Sequence, residues 1–134
     1  MSNNQIVFSY DPETRIRTAT YSGEIDTALL FDSYRKLISQ PDFDGGAHDL
    51  ADLRAVTKFA VSKEDLYAYS KMFTNGQPRP AQVSCLAIVA QTALTFGLSR
   101  MFEMMTESEL PKETRVFSDY DEALAWLKSR PHFG

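Results

Sequence analysis

The longest stretch of apolar positions in the chain covers residues 83–90, where seven of the eight residues are apolar or Cys. Apolar and polar positions do not alternate there, which is typical of a strand covered on both faces in a parallel or mixed sheet. The apolar spacing then changes to that of a helix over residues 93–105. We therefore expect the strand and helix within residues 82–109 to lie at the centre of the fold.

A hairpin is predicted at the start of the chain. Residues 6–10 and 15–21 have the composition of two strands, and Asp11 and Pro12 between them suit a tight turn. Residues 22–24 contain a glycine and are predicted to end the second strand. We expect this hairpin to form an edge of the sheet.

Capping residues and periodicity predict the other elements. Asp26 suits the N-cap of a helix that ends near residue 39. Ser62 suits the N-cap of a helix that has Leu66, Tyr69 and Phe73 on one side. The remaining predictions are a strand over residues 47–53, a loop over 75–80, a strand over 114–117, and a helix over 120–128 capped by Ser118 or Asp119.

In chain order the predicted elements are β-β-α-β-α-β-α-β-α. Strands that alternate with helices in this way are typical of an α/β fold. The chain has 134 residues, which is enough for one core of ordinary size and too few for two. We therefore expect a single domain over residues 1–134.

Composition and charge exclude several classes of function. A formal charge of −4 argues against a nucleic-acid surface, because such a surface needs clustered Lys and Arg. No apolar run approaches the roughly 18 to 20 residues that span a bilayer, and the first residues do not resemble a signal peptide. We expect a cytoplasmic protein without an integral membrane segment. Its one cysteine, Cys85, excludes an intramolecular disulfide and is expected to be a small buried hydrophobe.

Four segments together resemble the SpoIIAA-like family of STAS-fold proteins. The likeness covers nearly the whole chain and depends on the order and spacing of Asp52-Leu53-Arg54, Ala87-Ile88-Val89-Ala90, Phe96-Gly97-Leu98-Ser99-Arg100-Met101-Phe102-Glu103 and Glu122-Ala123-Leu124-Ala125-Trp126-Leu127. The resemblance implies a mixed, mostly parallel sheet with helices packed against it. It also implies a bacterial protein, kinship with anti-sigma-factor antagonists, and no enzyme activity.

The resemblance also directs attention to phosphorylation. In the anti-sigma antagonists a phosphorylatable serine follows the third strand in an Asp-Ser-Gly setting, whereas residues 52–57 of this chain contain neither serine nor glycine. Thr57 and Ser62 are the nearest hydroxyls. A phosphate on Ser62 would be tolerated by the dipole of the helix that follows. The alternative is that Ser62 is only a helix cap.

The end of the third strand holds a candidate binding site. In α/β sheets ligands tend to bind beyond the carboxyl ends of the strands, and Asp52 and Arg54 are predicted to lie there. A carboxylate and a guanidinium could orient a polar ligand. Alternatively, the two side chains pair with each other or fix a loop.

The helix over residues 93–105 holds a second candidate surface. Leu94, Leu98, Met101 and Met105 share one side and are predicted to face the core, with Phe102 at its margin. Phe96 falls on the polar side next to Arg100 and Glu103, where it would serve as a subunit contact or a ligand lid. Gly97 is expected to permit close approach of another backbone or a ligand.

Two functions from different classes remain open. The first is a non-enzymatic binding or regulatory module that forms a homodimer or binds another protein through Asp52, Arg54, Phe96, Arg100 and Phe102. The alternative is a carrier or sensor of a small apolar, lipid-like ligand, in a pocket between the sheet and the helix over residues 96–105. We predict no cofactor and no metal, because His, Cys and acidic residues have no ligand spacing and no nucleophile has a plausible base.

Overall fold

The computed structural model describes residues 4–71, 84–106 and 112–131. The elements follow one another in the predicted order. They are β1 (Gln5–Asp11), β2 (Ile16–Asp26), α1 (Thr27–Ile38), β3 (His48–Ala60), α2 (Lys63–Lys71), β4 (Ser84–Val89), α3 (Ala93–Thr106), β5 (Lys112–Phe117) and α4 (Tyr120–Ser129).

The strands form one mixed sheet in the order β1-β2-β3-β4-β5. β1 is antiparallel to β2, and the other neighbouring pairs are parallel. This arrangement confirms the mostly parallel sheet and places the hairpin at one edge. The central strand is β3, so the prediction that the strand over residues 83–90 lies at the centre was wrong. Residues 85–89 are nevertheless all buried, since helices cover both faces of β4.

The two longest strands extend beyond their predicted ends. β2 continues past residues 22–24 as far as Asp26, with shifts of register between Thr20 and Ser22 and between Gly23 and Glu24. Gly23 has a φ of 76°, a left-handed conformation that glycine adopts without steric cost. Gly23 therefore forms an irregularity within the strand and does not end it. β3 likewise continues past residue 53 to Ala60, paired there with β2 alone.

Helices cover both faces of the sheet. Leu30 of α1, Leu66 and Tyr69 of α2, and Phe102 of α3 share one core cluster with Leu86. On the opposite face, α4 contributes Ala123 and Leu127 to a second cluster, which includes Leu50, Ala87 and Val89. The side chains of β4 point alternately to the two clusters, as the pleat of a strand requires.

Side-chain hydrogen bonds cap the N-termini of α1, α2 and α4. The Asp26 carboxylate accepts a hydrogen bond from the Leu29 amide at 2.8 Å, and the Ser62 hydroxyl accepts one from the Asp65 amide at 3.1 Å. Asp119, the second of the two candidates for the last helix, accepts from the Glu122 amide at 2.8 Å. The predictions for Val83, Phe73 and the loop over residues 75–80 lie outside the described residues.

Candidate functional site

The surface of α3 is unusual because its apolar residues lie outside. Leu94 is 46% exposed, Phe96 37% and Met104 73%. Among the α3 residues whose side chains the structure describes, six are exposed and only one of those is charged. They are Ala93, Leu94, Phe96, Gly97, Arg100 and Met104.

Two hydroxyl residues occupy the buried side of α3. Thr95 and Ser99 are almost completely buried, and Phe102 is the large apolar residue of that side. Thr92 and Thr95 cap the helix reciprocally, because each hydroxyl accepts a hydrogen bond from the backbone amide of the other residue, at 3.1 and 3.2 Å. The Ser99 hydroxyl donates to the Thr95 carbonyl at 2.6 Å. Burial of these hydroxyls costs little, because their hydrogen bonds are made within the helix.

The predicted core stripe of this helix was therefore wrong in part. Leu94 is exposed, Leu98 and Met101 are half-buried, and the side chain of Met105 lies outside the described part of the chain. Phe102 was placed at the margin and as a binding residue, but it is 7% exposed and its ring centroid lies 6.3 Å from that of Tyr69. Phe102 belongs to the core, so it is not available to a ligand or partner.

Gly97 lies in the middle of the exposed surface. Among the described residues, nothing lies within 4 Å of the position a Cβ would occupy there. The expected close approach of another part of the chain to Gly97 is thus not found. The open space above its backbone faces outward.

Phe96 and Arg100 lie together, as the helical spacing predicts. The Arg100 guanidinium carbon is 5.4 Å from the centroid of the Phe96 ring, and its Nη1 atom is 3.1 Å from a Glu103 carboxylate oxygen. All three side chains are on the surface or partly so. The pair with Glu103 neutralises the one charged residue of the exposed surface, and a role of Phe96 as a contact or lid stays a prediction.

Asp52 and Arg54 lie on β3, inside the strand and not at its end. Asp52 pairs in register with Val89, the last residue of β4, so the two side chains are at the carboxyl end of β4. Arg54 donates from Nε and Nη2 to the two carboxylate oxygens of Asp52, both at 2.9 Å. Its guanidinium carbon lies 4.8 Å from the Tyr120 ring centroid.

The electrostatics of this pair indicate mutual neutralisation. Burial raises the pKa of Asp52, but the hydrogen bonds from Arg54 lower it by more, so that the pKa stays below its ordinary value. The bonds to Asp52 in turn raise the pKa of Arg54. The two candidate residues are brought together, as predicted, and they bind each other in a bidentate geometry.

The two hydroxyls considered for phosphorylation are both exposed. Thr57 lies within β3, where the strand pairs with β2, and it does not follow the strand as expected. Ser62 is followed by α2, and its hydroxyl caps that helix. Phosphorylation of either residue stays a prediction.

A buried polar cluster beneath α1 was not predicted. Arg17 of β2 is only 5% exposed, and its guanidinium donates to both carboxylate oxygens of Asp49, at 2.7 and 3.2 Å. The charge of Asp49 acts on Tyr21, Tyr34 and Tyr69 nearby. Burial, with a smaller contribution from Asp49, raises the pKa of both Tyr21 and Tyr34 to about 12. The sequence signal for this cluster was that Arg17 shares a strand face with Tyr21, so its charge would need a buried partner.

An open groove of about 550 Å³ lies between β1 and α1. Ile6 and Phe8 from the strand and Leu29 and Leu37 from the helix contribute its apolar residues, and Lys36 is one of its polar ones. The pocket expected between the sheet and residues 96–105 is not the groove that the structure describes. This groove lies at the opposite edge of the sheet, next to the hairpin.

Neither a membrane-spanning helix nor a metal-binding cluster occurs in the part of the chain that the structure describes. None of the helices within residues 4–71, 84–106 and 112–131 is long and apolar enough to cross a membrane. Over the same residues, no group of three or more His, Cys, Asp or Glu side chains could hold a metal ion.

Comparison with solved structures identifies the type of fold. The chain is similar to an uncharacterized protein from the DUF3478 family with a SpoIIAA-like fold, from Shewanella loihica PV-4. The two share 18% sequence identity and superpose with a TM-score of 0.60, over 95% of this chain and 98% of the other. No profile of a known protein family and no curated protein matches the chain. The SpoIIAA-like α/β fold that the sequence predicts is thereby confirmed.

Proposed function

We propose that this protein is a non-enzymatic binding module that recognises another protein through the exposed surface of α3. The observation that carries the proposal is the reversed polarity of this helix, with Leu94, Phe96 and Met104 outside and Thr95 and Ser99 inside. Removing one large apolar side chain from water contributes roughly 1.5–3 kcal/mol. Large apolar residues that lie together on a surface favour a partner that covers them.

The composition of the surface fits a protein as the partner. Aromatic residues, Met and Arg are enriched in protein interfaces, and Phe96, Met104 and Arg100 represent each type. Arg100 is already paired with Glu103 at 3.1 Å, so covering it buries a neutral pair and not a lone cation. Recognition through α3 does not require the Asp-Ser-Gly setting of the anti-sigma antagonists, which residues 52–57 lack.

Photo-crosslinking in living cells tests the proposal. A photoreactive amino acid replaces Met104. In a matched control it replaces Thr57, which is also exposed but lies on β3 and not on α3. We expect one dominant protein adduct from position 104, absent from position 57. Equal, diffuse labelling at the two positions would refute recognition of a protein through α3.

A second candidate is a carrier of a small apolar ligand, and the groove between β1 and α1 favours it. Its volume of about 550 Å³ is within the range of roughly 300–1,000 Å³ that is usual for small-molecule sites. Lys36 among its lining residues would suit a ligand with a carboxylate head. Native and denatured mass spectrometry of the purified protein with and without oleate tests this candidate. No released mass and no oleate adduct would refute it, and an adduct lost in Phe8→Asp would support it.

A further inference from the structure

Four residues of the α3 surface follow a heptad spacing. Leu94, Gly97, Met101 and Met104 are separated by three, four and three residues, which is the spacing of the contact positions in a two-helix coiled coil. We call these four residues the α3 seam. Leu94, Gly97 and Met104 are exposed and open to a second helix, whereas Met101 is half-buried and packs in part against the core cluster of its own chain.

We propose that the partner of this surface is a second copy of the chain, whose α3 packs antiparallel along the seam. This inference rests on the proposed function and names its partner. In an antiparallel pair centred near residue 99, Leu94 lies opposite Met104 of the second copy. Gly97 then lies opposite Met101 of the second copy, and the same contacts recur on the other side of the twofold axis.

Gly97 selects the antiparallel orientation. In a parallel pair, Gly97 would face Gly97 and leave a void at the centre of the contact. In the antiparallel pair, the exposed part of each Met101 side chain lies against the space above the opposite Gly97, where the described residues place nothing within 4 Å of a Cβ position. Large residues then alternate with small ones across the contact, as a well-packed interface requires.

The charges beside the seam are compatible with this pairing. Arg100 lies next to Met101, so the two Arg100 side chains approach each other near the twofold axis. Each is held 3.1 Å from its own Glu103, which offsets the repulsion between them. Leu98, half-buried on the other side of the seam, adds apolar area. We therefore expect an association that depends little on salt.

The size of the contact predicts its strength. α3 has 14 residues, or two heptads, and the seam covers only residues 94–104 of it. Such a contact buries less than the roughly 800 Å² per partner of a standard stable interface. We expect a reversible dimer that dissociates in about the micromolar range.

Sedimentation velocity over a wide range of protein concentrations tests the self-association. We expect the wild-type chain to shift from monomer to dimer, and Met104→Glu to weaken the dimer roughly tenfold or more. Ile38→Glu is the matched control, because Ile38 is likewise a large exposed apolar residue, at 42%, but lies on α1 and outside the surface of α3. Since position 104 is 73% exposed, the variant should fold as the wild type does. A dimer that Ile38→Glu disrupts and Met104→Glu does not would overturn the seam.

Engineered cysteines test the orientation. In a Cys85→Ala background, chains with Leu94→Cys are mixed with chains with Met104→Cys and oxidised. The antiparallel pair brings these two cysteines together, while two copies of position 94 lie about 15 Å apart along the axis, too far for a disulfide. Crosslinks between the different chains support the inference. Crosslinks between identical chains would indicate a parallel pair and overturn it.

The mass and identity of the photo-crosslinked adduct distinguish a failure of self-association from a failure of protein recognition by α3. An adduct of twice the chain mass of 15.1 kDa supports self-association. An adduct with a different protein, together with a purified chain that is monomeric at every concentration, would overturn self-association and leave recognition of a protein by α3 intact. Without an adduct specific to position 104, both would fail.

Discussion

Replacing Arg17 tests how much the buried ion pair beneath α1 contributes to stability. Arg17→Met keeps much of the side-chain volume but leaves the Asp49 carboxylate, which is 23% exposed, without its cation. Removing one partner of a fully buried pair costs about 3–5 kcal/mol. Because water partly reaches Asp49, we expect a loss of about 2–3 kcal/mol in the free energy of unfolding. For a chain of this length, that lowers Tm by about 8–12 °C.

Thermal and urea denaturation followed by circular dichroism measure this loss, with Arg35→Met as the control. Arg35 is paired with Asp32 at 3.4 Å on the surface of α1, where an ion pair contributes less than about 1 kcal/mol. Adding Asp49→Asn to Arg17→Met should recover much of the stability, because the negative charge that Arg17 neutralised is then gone. A loss below about 1 kcal/mol for Arg17→Met, or no recovery in the double variant, would contradict this reasoning.

Three other results are expected. Burial raises the folded-state pKa of Tyr34 to about 12, above the unfolded value of 10.0. The free energy of unfolding should therefore be unchanged below pH 10 and fall between pH 10 and 12. Tyrosinate absorbance, measured as the pH rises, should increase as the chain unfolds. Arg54→Ala should raise the pKa of Asp52, measured by NMR, because the side-chain hydrogen bonds from Arg54 are lost while burial remains; an unchanged pKa would contradict the pairing. If Thr57 or Ser62 is phosphorylated, incubation with cell extract and ATP should add the mass of a phosphate, and an unchanged intact mass would reject both positions.

The order of the elements could be predicted from the sequence because it depends on local signals. The Asp26 cap and the change from an unbroken apolar run to helical spacing near residue 92 both act within a few residues. The ends of the strands were harder to predict from the sequence. A glycine can end a strand or form an irregularity within it, and here pairing with β3 carries β2 past Gly23 to Asp26. That outcome depends on a strand more than 20 residues further along the chain, which no local pattern contains.

The candidate sites divide in the same way. The pairing of Asp52 with Arg54 and the proximity of Phe96 to Arg100 follow from the periods of a strand and a helix, so the sequence contained them. The side of α3 that faces the sheet could not be predicted from the positions of its apolar residues. Thr95 and Ser99 are small and make their hydrogen bonds within the helix, so this side can lie against the sheet at little cost. Phe102 then supplies the large apolar contact from the same side.

In α3, the apolar residues do not lie on the side of the helix that the fold buries, and this mismatch has a physical meaning. A helix that only needed to cover the sheet would place Leu94 and Met104 inward and Thr95 and Ser99 outward, because burial of the apolar pair favours that arrangement by several kcal/mol (~25 cal/mol per Å²). The reverse arrangement leaves this gain unused in the single chain. Conflicts of this kind are expected at functional sites, where the missing contact is completed by something outside the chain. Gly97 weakens the helix by about 1 kcal/mol relative to Ala, and it lies where an antiparallel second helix would need space. A partner helix would therefore explain both the exposed apolar residues and the glycine that weakens α3.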